Sequence, residues 1–163
     1  MRQTLLLLFL ALILMPDTIN ALPFKEISTD NGLSNRRVQE SILDDNGYIW
    51  FATRSGIDRY NGEFFVHYTL SISAENEVTE HPRGILINDQ KEIYAFSEAN
   101  IYKFSYETDS FHQVNNVNLT QREAINAITF DPTGHLWIGT TEHLYRFNTN
   151  DSTLQSIKQK VAV

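Results

Sequence analysis

One short sequence occurs three times in this chain of 163 residues, and it constrains the fold more than any other feature. Asp44–Thr53 reads DDNGYIWFAT, and Asp131–Thr140 reads DPTGHLWIGT at 87 positions further on. Between them, Asn88–Ser97 reads NDQKEIYAFS, which lacks the glycine and the tryptophan. Three copies at a spacing of 43 to 44 residues predict a repeat protein.

Each copy predicts four short antiparallel strands. In the first copy they are separated by the turn Asp44–Gly47, a bend near Gly56 and the hairpin turn Asn61-Gly62. A four-stranded unit of this length is typical of a β-propeller blade, so the predicted fold is all-β, with about three blades of an incomplete propeller. The predicted boundaries are a signal peptide at 1–21, an N-terminal strand (Phe24–Ser28) and loop within 22–37, blade 1 at 38–70, a degenerate blade 2 at 84–114, blade 3 at 122–157 and a tail at 158–163.

The second strand of each copy is apolar on both faces. A strand of this kind must be covered on both faces, which the stacking of neighbouring blades provides. Trp50, Tyr94 and Trp137 share one position of the repeat, which favours a common role in the core over a stacking site for a ligand.

The acidic turn at Asp44–Gly47 has two interpretations. Glycine supplies the positive φ that ends a type I turn in such hairpins, and Gly134 meets the same need in the third copy. A calcium loop is the alternative, but Ile42 stands where such a loop needs its first aspartate. Lys91 replaces the glycine in the second copy, so that turn is expected to be longer, different or strained.

The first 21 residues predict export. A basic start is followed by an unbroken apolar run, Leu5–Met15, and by a polar segment that ends at Ala21, the expected cleavage site. A membrane anchor is the alternative, but the run is shorter than the roughly 20 residues that a spanning helix needs. The chain has no cysteine, which excludes disulfides and fits a bacterial periplasm, and its net charge of −7 without a basic run argues against nucleic acid.

The first copy resembles a known family. Gly32–Asn35, Val38, Asp44–Thr53 and Gly56–Gly62 are similar to the two-component regulator propeller repeat. That resemblance implies a periplasmic sensor region of the kind found in hybrid sensor histidine kinases and related diguanylate cyclases. It also implies further blades, a β-sandwich, a membrane helix and an output domain, so a truncated or partial sensor is expected here.

The residues predict no enzyme chemistry. No phosphate-binding loop, nucleophile motif or metal-ligand spacing is present, and the five histidines fall at unrelated positions of the repeat. We therefore expect no catalytic residues, no cofactor and no metal site. The alternatives to a sensor are a standalone interaction protein that closes its ring by forming a homo-oligomer and a fragment of a secreted lyase or hydrolase.

One rim of the blades is the predicted ligand site. The loop before the first strand and the loop between the second and third strands emerge at the same end of a blade, which brings Arg36, Arg37 and Arg54 together. A solvated loop is the simpler interpretation, and the sequence favours it. The hypothesis set against it is that three arginines in an acidic protein hold an anionic small molecule or glycan, or carboxylates of a neighbouring blade or domain. Glu98, Arg122, Glu142 and His143 are expected at the same rim.

Overall fold

The strands form three four-stranded antiparallel sheets and one two-stranded ribbon, as seen in a computed structural model that describes residues 24–72, 78–119 and 123–157. The all-β prediction is therefore confirmed, while 1–21 and 158–163 lie outside the described residues. No described helix is long and apolar enough to cross a membrane. Blade 1 contains β1 (Val38–Leu43), β2 (Ile49–Thr53), β3 (Gly56–Tyr60) and β4 (Phe65–Tyr68), and the ribbon that follows contains β5 (Leu70–Ser71) and β6 (Thr79–Glu80). Blade 2 contains β7 (Gly84–Ile87), β8 (Ile93–Phe96), β9 (Ile101–Ser105) and β10 (Ser110–Gln113). Blade 3 contains β11 (Ile125–Phe130), β12 (His135–Thr140), β13 (Leu144–Asn148) and β14 (Thr153–Ile157).

The N-terminal segment differs from the prediction. Phe24–Ser28 forms no strand, and a 3-10 helix follows at Thr29–Asn31, with Ser28 in a capping box. Lys25 Nζ donates a hydrogen bond to the Gly62 carbonyl oxygen at 2.9 Å. The predicted strand is wrong because a strand needs a neighbouring backbone, and none of the described sheets includes this segment.

The turn between the first two strands of each blade has the same backbone geometry in all three copies. Gly47, Lys91 and Gly134 adopt φ values of 81°, 65° and 83°. The amide of each donates to the carbonyl oxygen three residues earlier, at 3.1, 3.0 and 2.9 Å. Lys91 therefore takes the strained alternative among the three that the sequence left open, because a lysine occupies the left-handed region that glycine adopts freely.

An aspartate binds the tryptophan of the same blade across this turn. Asp44 Oδ2 accepts a hydrogen bond from Trp50 Nε1 at 2.8 Å, and Asp131 Oδ2 accepts one from Trp137 Nε1 at 2.9 Å. Asp44 Oδ1 accepts from the amides of Asn46 and Tyr48. These bonds explain the aspartate in the turn by local hydrogen bonding, a role that the sequence analysis did not predict. Hydrogen bonds from the side chains of Thr133 and Trp137 hold the pKa of Asp131 well below its usual range.

Blade 2 replaces this pair with a different arrangement. Tyr94, at the tryptophan position, donates to Glu92 Oε2 at 3.1 Å, and Asn88 Oδ1 accepts from the Glu92 amide at 2.8 Å. Burial opposes ionisation of Glu92, but hydrogen bonds from Lys103 and Asn88 hold its pKa below the usual value. In this copy the hydrogen bond between Tyr94 and Glu92 therefore takes the place of the bond between tryptophan and aspartate.

The two hydrophobic cores lie between neighbouring blades. Every residue of β8 is buried, which confirms that this strand is covered on both faces. Trp50 is fully buried against blade 2, and Tyr94 is buried against blade 3. Trp137, at the same position of blade 3, is only half-buried, with the Arg146 guanidinium 5.9 Å from its ring centroid. The equivalent aromatic position thus becomes buried where a following blade packs on it.

We predict that Gly47→Ala lowers the free energy of unfolding by about 1 kcal/mol, because alanine is strained at positive φ. No atom lies within 4 Å of the added Cβ, so a steric clash does not contribute. Gly47→Asn is the matched control and should cost less, since asparagine tolerates this conformation better. Urea unfolding measures both; equal losses would contradict the conformational explanation.

We also predict that Asp44→Ala lowers the free energy of unfolding by about 2–4 kcal/mol, because it leaves the buried Trp50 indole and two turn amides without their acceptor. Asp131→Ala should cost less, since water reaches the half-buried Trp137. The comparison uses urea unfolding monitored by tryptophan fluorescence. A larger loss for Asp131→Ala would show that the burial of the tryptophan does not set the cost.

Candidate functional site

The structure brings two of the three predicted arginines into one cleft. Arg37 precedes β1 and Arg54 follows β2, and the Arg54 amide donates to the Arg37 carbonyl oxygen at 3.2 Å. Both residues line a cleft of about 390 Å³ between blades 1 and 2. Arg36 is exposed on the same loop but does not line this cleft. Of the three arginines that were predicted to lie together, Arg37 and Arg54 therefore line one cleft and Arg36 does not.

Blade 2 and the ribbon form the opposite wall of the cleft. His81 Nδ1 donates to the Arg54 carbonyl oxygen at 2.8 Å, which joins the two walls. Glu98 lies at this rim, as predicted, whereas Arg122 lies outside the described residues. The sequence analysis missed part of this wall because it assigned the segment to a connection between blades. The missed lining residues are Thr79, Glu80, His81, Pro82 and Arg83.

The cationic groups of the cleft differ in their partners. Arg83 forms an ion pair with Glu98 at 3.3 Å and donates to the Ile125 carbonyl oxygen at 3.2 Å. The side chains of Arg37 and Arg54 are exposed, and neither has a hydrogen bond or ion pair with the described part of the chain. Two guanidinium groups are consequently available to an incoming ligand.

A carboxylate from the ribbon holds the base of this wall together. Glu80 accepts hydrogen bonds from the Tyr102 hydroxyl and from Asn100 Nδ2, each at 2.8 Å, and from the Ser97 hydroxyl. Burial, together with the hydrogen bond to Glu80, raises the pKa of Tyr102. Tyr102 therefore stays protonated and donates to Glu80, which ties the ribbon to β9.

The same kind of network recurs under the rim of each blade. In blade 3, Glu123 accepts from the Tyr145 hydroxyl at 2.9 Å. In blade 1, Arg36 stands at the position of the two glutamates, and Asp58 stands at the position of the two tyrosines. Asp58 Oδ2 accepts instead from the amide and the hydroxyl of Ser34, each at 2.8 Å. A carboxylate is thus kept in each blade, although its position in the repeat changes.

Two histidines pair with these carboxylates, which the sequence analysis did not predict. His67 Nδ1 lies 2.7 Å from Asp58 Oδ1, and His143 Nδ1 lies 3.0 Å from Glu123 Oε1. Possible ligand atoms of Glu123, Glu142 and His143 lie within 4.8 Å of one another. The Glu123 carboxylate already accepts hydrogen bonds from the Tyr145 and Thr140 hydroxyls, so it has partners within the blade. The partners were missed because they are far apart in the chain: His67 and Asp58 lie on neighbouring strands, and Glu123 and His143 lie in two different loops.

A scan against protein-family models matches residues 119–142 to the two-component regulator propeller. The first half of the third blade is therefore similar to a regulator propeller repeat. The match begins before β11 and ends after β12, so it includes the turn at Asp131 and the strand of Trp137. The resemblance that the sequence indicated is therefore confirmed, and the regulator propeller repeat agrees with the observed blades. No curated protein sequence matches this chain significantly.

Solved structures share the propeller fold. The extracellular domain of BT3049, described as a hybrid two-component system of B. thetaiotaomicron, is 21% identical with a TM-score of 0.65, covering 80% of this chain and 19% of that one. The extracellular domain of BT4673 from the same organism, described as a one-component system, is 17% identical with a TM-score of 0.67, covering 82% and 18%. Virginiamycin B lyase from Staphylococcus aureus is 14% identical with a TM-score of 0.58, covering 76% and 42%.

The two extracellular domains are much longer than this chain. This chain spans about a fifth of the length of the two extracellular domains. At identities this low, the structural similarity establishes a common fold and no more. That fold occurs both in the extracellular domains of signalling systems and in a lyase.

We predict that Glu80→Ala lowers the free energy of unfolding by about 2 kcal/mol, because Ser97, Asn100 and Tyr102 lose their acceptor. Glu98→Ala is the matched control: it removes the same charge from the same wall but breaks an exposed ion pair with Arg83, which should cost less than about 1 kcal/mol. Urea unfolding compares the two variants. Equal losses would show that the Glu80 network is not structural.

Proposed function

We propose that this chain supplies blades of the extracytoplasmic signal-input region of a two-component signalling protein. The observation that carries the proposal is the regulator propeller repeat in blade 3, together with a fold shared with extracellular domains of such systems. In this role the propeller acts by binding. Binding of a ligand at its rim is then transmitted to a kinase or another output module.

The N-terminal residues support a location outside the cytoplasm. The apolar run Leu5–Met15 and the polar segment that ends at Ala21 have the order of a secretory signal peptide. We infer that the signal directs the folded residues to the periplasm and is removed after Ala21. The absence of cysteine is compatible with folding there by core packing alone.

The open faces of the outer blades support packing against further blades. Trp137 on blade 3 is half-buried, and Phe51 and Phe65 on blade 1 are also half-buried, with ring centroids 6.3 Å apart. Aromatic positions become fully covered where blades 1 and 2 meet, as Trp50 shows. We therefore propose that the three blades form one sector of a larger propeller in the complete sensor.

Export is tested by fusing the chain to alkaline phosphatase, an enzyme that is active only outside the cytoplasm. We expect activity with the native sequence and its loss with Leu8→Arg plus Leu12→Arg, since charges in the apolar run oppose insertion. Arg2→Lys is the control, because it keeps the basic start. Equal activity in all three fusions would contradict a role for this signal.

The signalling role is tested separately by comparing the transcriptome of the native host with that of a strain in which codons 38–157 are deleted in frame. The proposal is supported if a set of transcripts that the native host induces is no longer induced in the deletion strain. An unchanged transcriptome under every condition that expresses the gene would overturn it.

A further inference from the structure

The geometry points to a carboxylate-binding site in the cleft between blades 1 and 2, in which Arg37 and Arg54 hold the carboxylate of a small hydroxylated acid. This inference deepens the proposed function by naming the chemical class of its ligand. The binding step itself requires only the cleft and its two free guanidinium groups.

The two arginines are held in place by the backbone around them. Besides the bond between their main chains, the Arg37 amide donates to Asn35 Oδ1 at 2.8 Å, and Asn35 Nδ2 donates to Ser55 Oγ at 3.0 Å. His81 binds the Arg54 carbonyl oxygen from the opposite blade. Both loops are therefore fixed before any ligand arrives, which reduces the ordering cost of binding.

The blade itself does not require arginine at these positions. In blade 3 the equivalent residues are Ala124 and Thr141, and the Thr141 amide donates to the Ala124 carbonyl oxygen at 3.0 Å, in the same way as Arg54 does to Arg37. Residues that hold the blades together, such as the aspartate and tryptophan pair, recur in equivalent positions of blades 1 and 3. The arginine pair does not recur, so blade architecture does not explain it.

The charge and size of the cleft favour a small acid. A guanidinium group presents parallel N–H donors that match the two oxygens of a carboxylate, and the two free groups lie in a protein of net charge −7. The volume of about 390 Å³ is at the lower end of ligand pockets, which suits a molecule of about one sugar ring. Glu98, Gln39 and Thr79 also line the cleft and supply polar groups for ligand hydroxyls.

The test uses the ¹⁵N-labelled full chain, glucuronate as the probe, and the side-chain Nε–Hε signals of the arginines. Glucuronate should shift the signals of Arg37 and Arg54 saturably, whereas glucose, which has no carboxylate, should not. The double variant Arg37→Ala with Arg54→Thr introduces the residue pair of blade 3 at this backbone bond. It should remain folded and bind glucuronate at least about tenfold more weakly.

Arg36→Ala is the matched control, because it removes an identical charge from the same loop outside the cleft. Its affinity should stay within about twofold of the native value. No saturable shift, an unchanged affinity in the double variant or an equal loss in Arg36→Ala would overturn the site. If inorganic sulfate shifts the same signals and glucuronate does not, the carboxylate assignment is wrong. Binding in vitro together with an unchanged transcriptome would refute the signalling role alone.

Discussion

A carboxylate at the start of the first hairpin turn holds each tryptophan-containing blade in shape. Asp44 accepts hydrogen bonds from the turn amides with one oxygen and from the Trp50 indole with the other. The same side chain therefore determines the turn geometry and the position of the largest residue in the core. Since Trp50 packs between blades 1 and 2, a local turn is coupled to the contact between blades. Blade 2 keeps this coupling with Glu92 and Tyr94.

The blades depend on one another because their apolar side chains are buried between sheets. All of β8 is covered, and the two core clusters each draw residues from two adjacent blades. A unit of this kind gains most of its stability from its neighbours, as repeat proteins generally do. The half-buried Trp137 and Phe51 mark the two outer faces, where no described blade provides such a partner.

Comparison of equivalent positions separates what the blade needs from what the rim presents. Tyrosine–glutamate pairs recur in blades 2 and 3, and Asp58 with Ser34 replaces them in blade 1. In blade 1 Asp58 supplies the carboxylate that a glutamate supplies in blades 2 and 3. The position of that glutamate is taken by the exposed Arg36. Arg37 and Arg54 replace the alanine and threonine of blade 3, and the backbone bond that joins their loops is the same in both blades. This freedom is what allows the first cleft to differ from the others.

The sequence by itself determined the repeat, the all-β class, the turns at Gly47 and Gly134, and the core role of the shared aromatic position in blades 1 and 2. These features depend on residues close together in the chain, whose spacing reports the backbone period and the turn geometry. Only the tertiary structure decided that Phe24–Ser28 is not a strand, that Arg36 is outside the cleft, and that Glu80 and His81 belong to it. It also decided the pairing of His67 with Asp58. The physical reason is that these outcomes depend on how neighbouring sheets are placed and on which loop side chains converge, and neither is encoded in a local pattern.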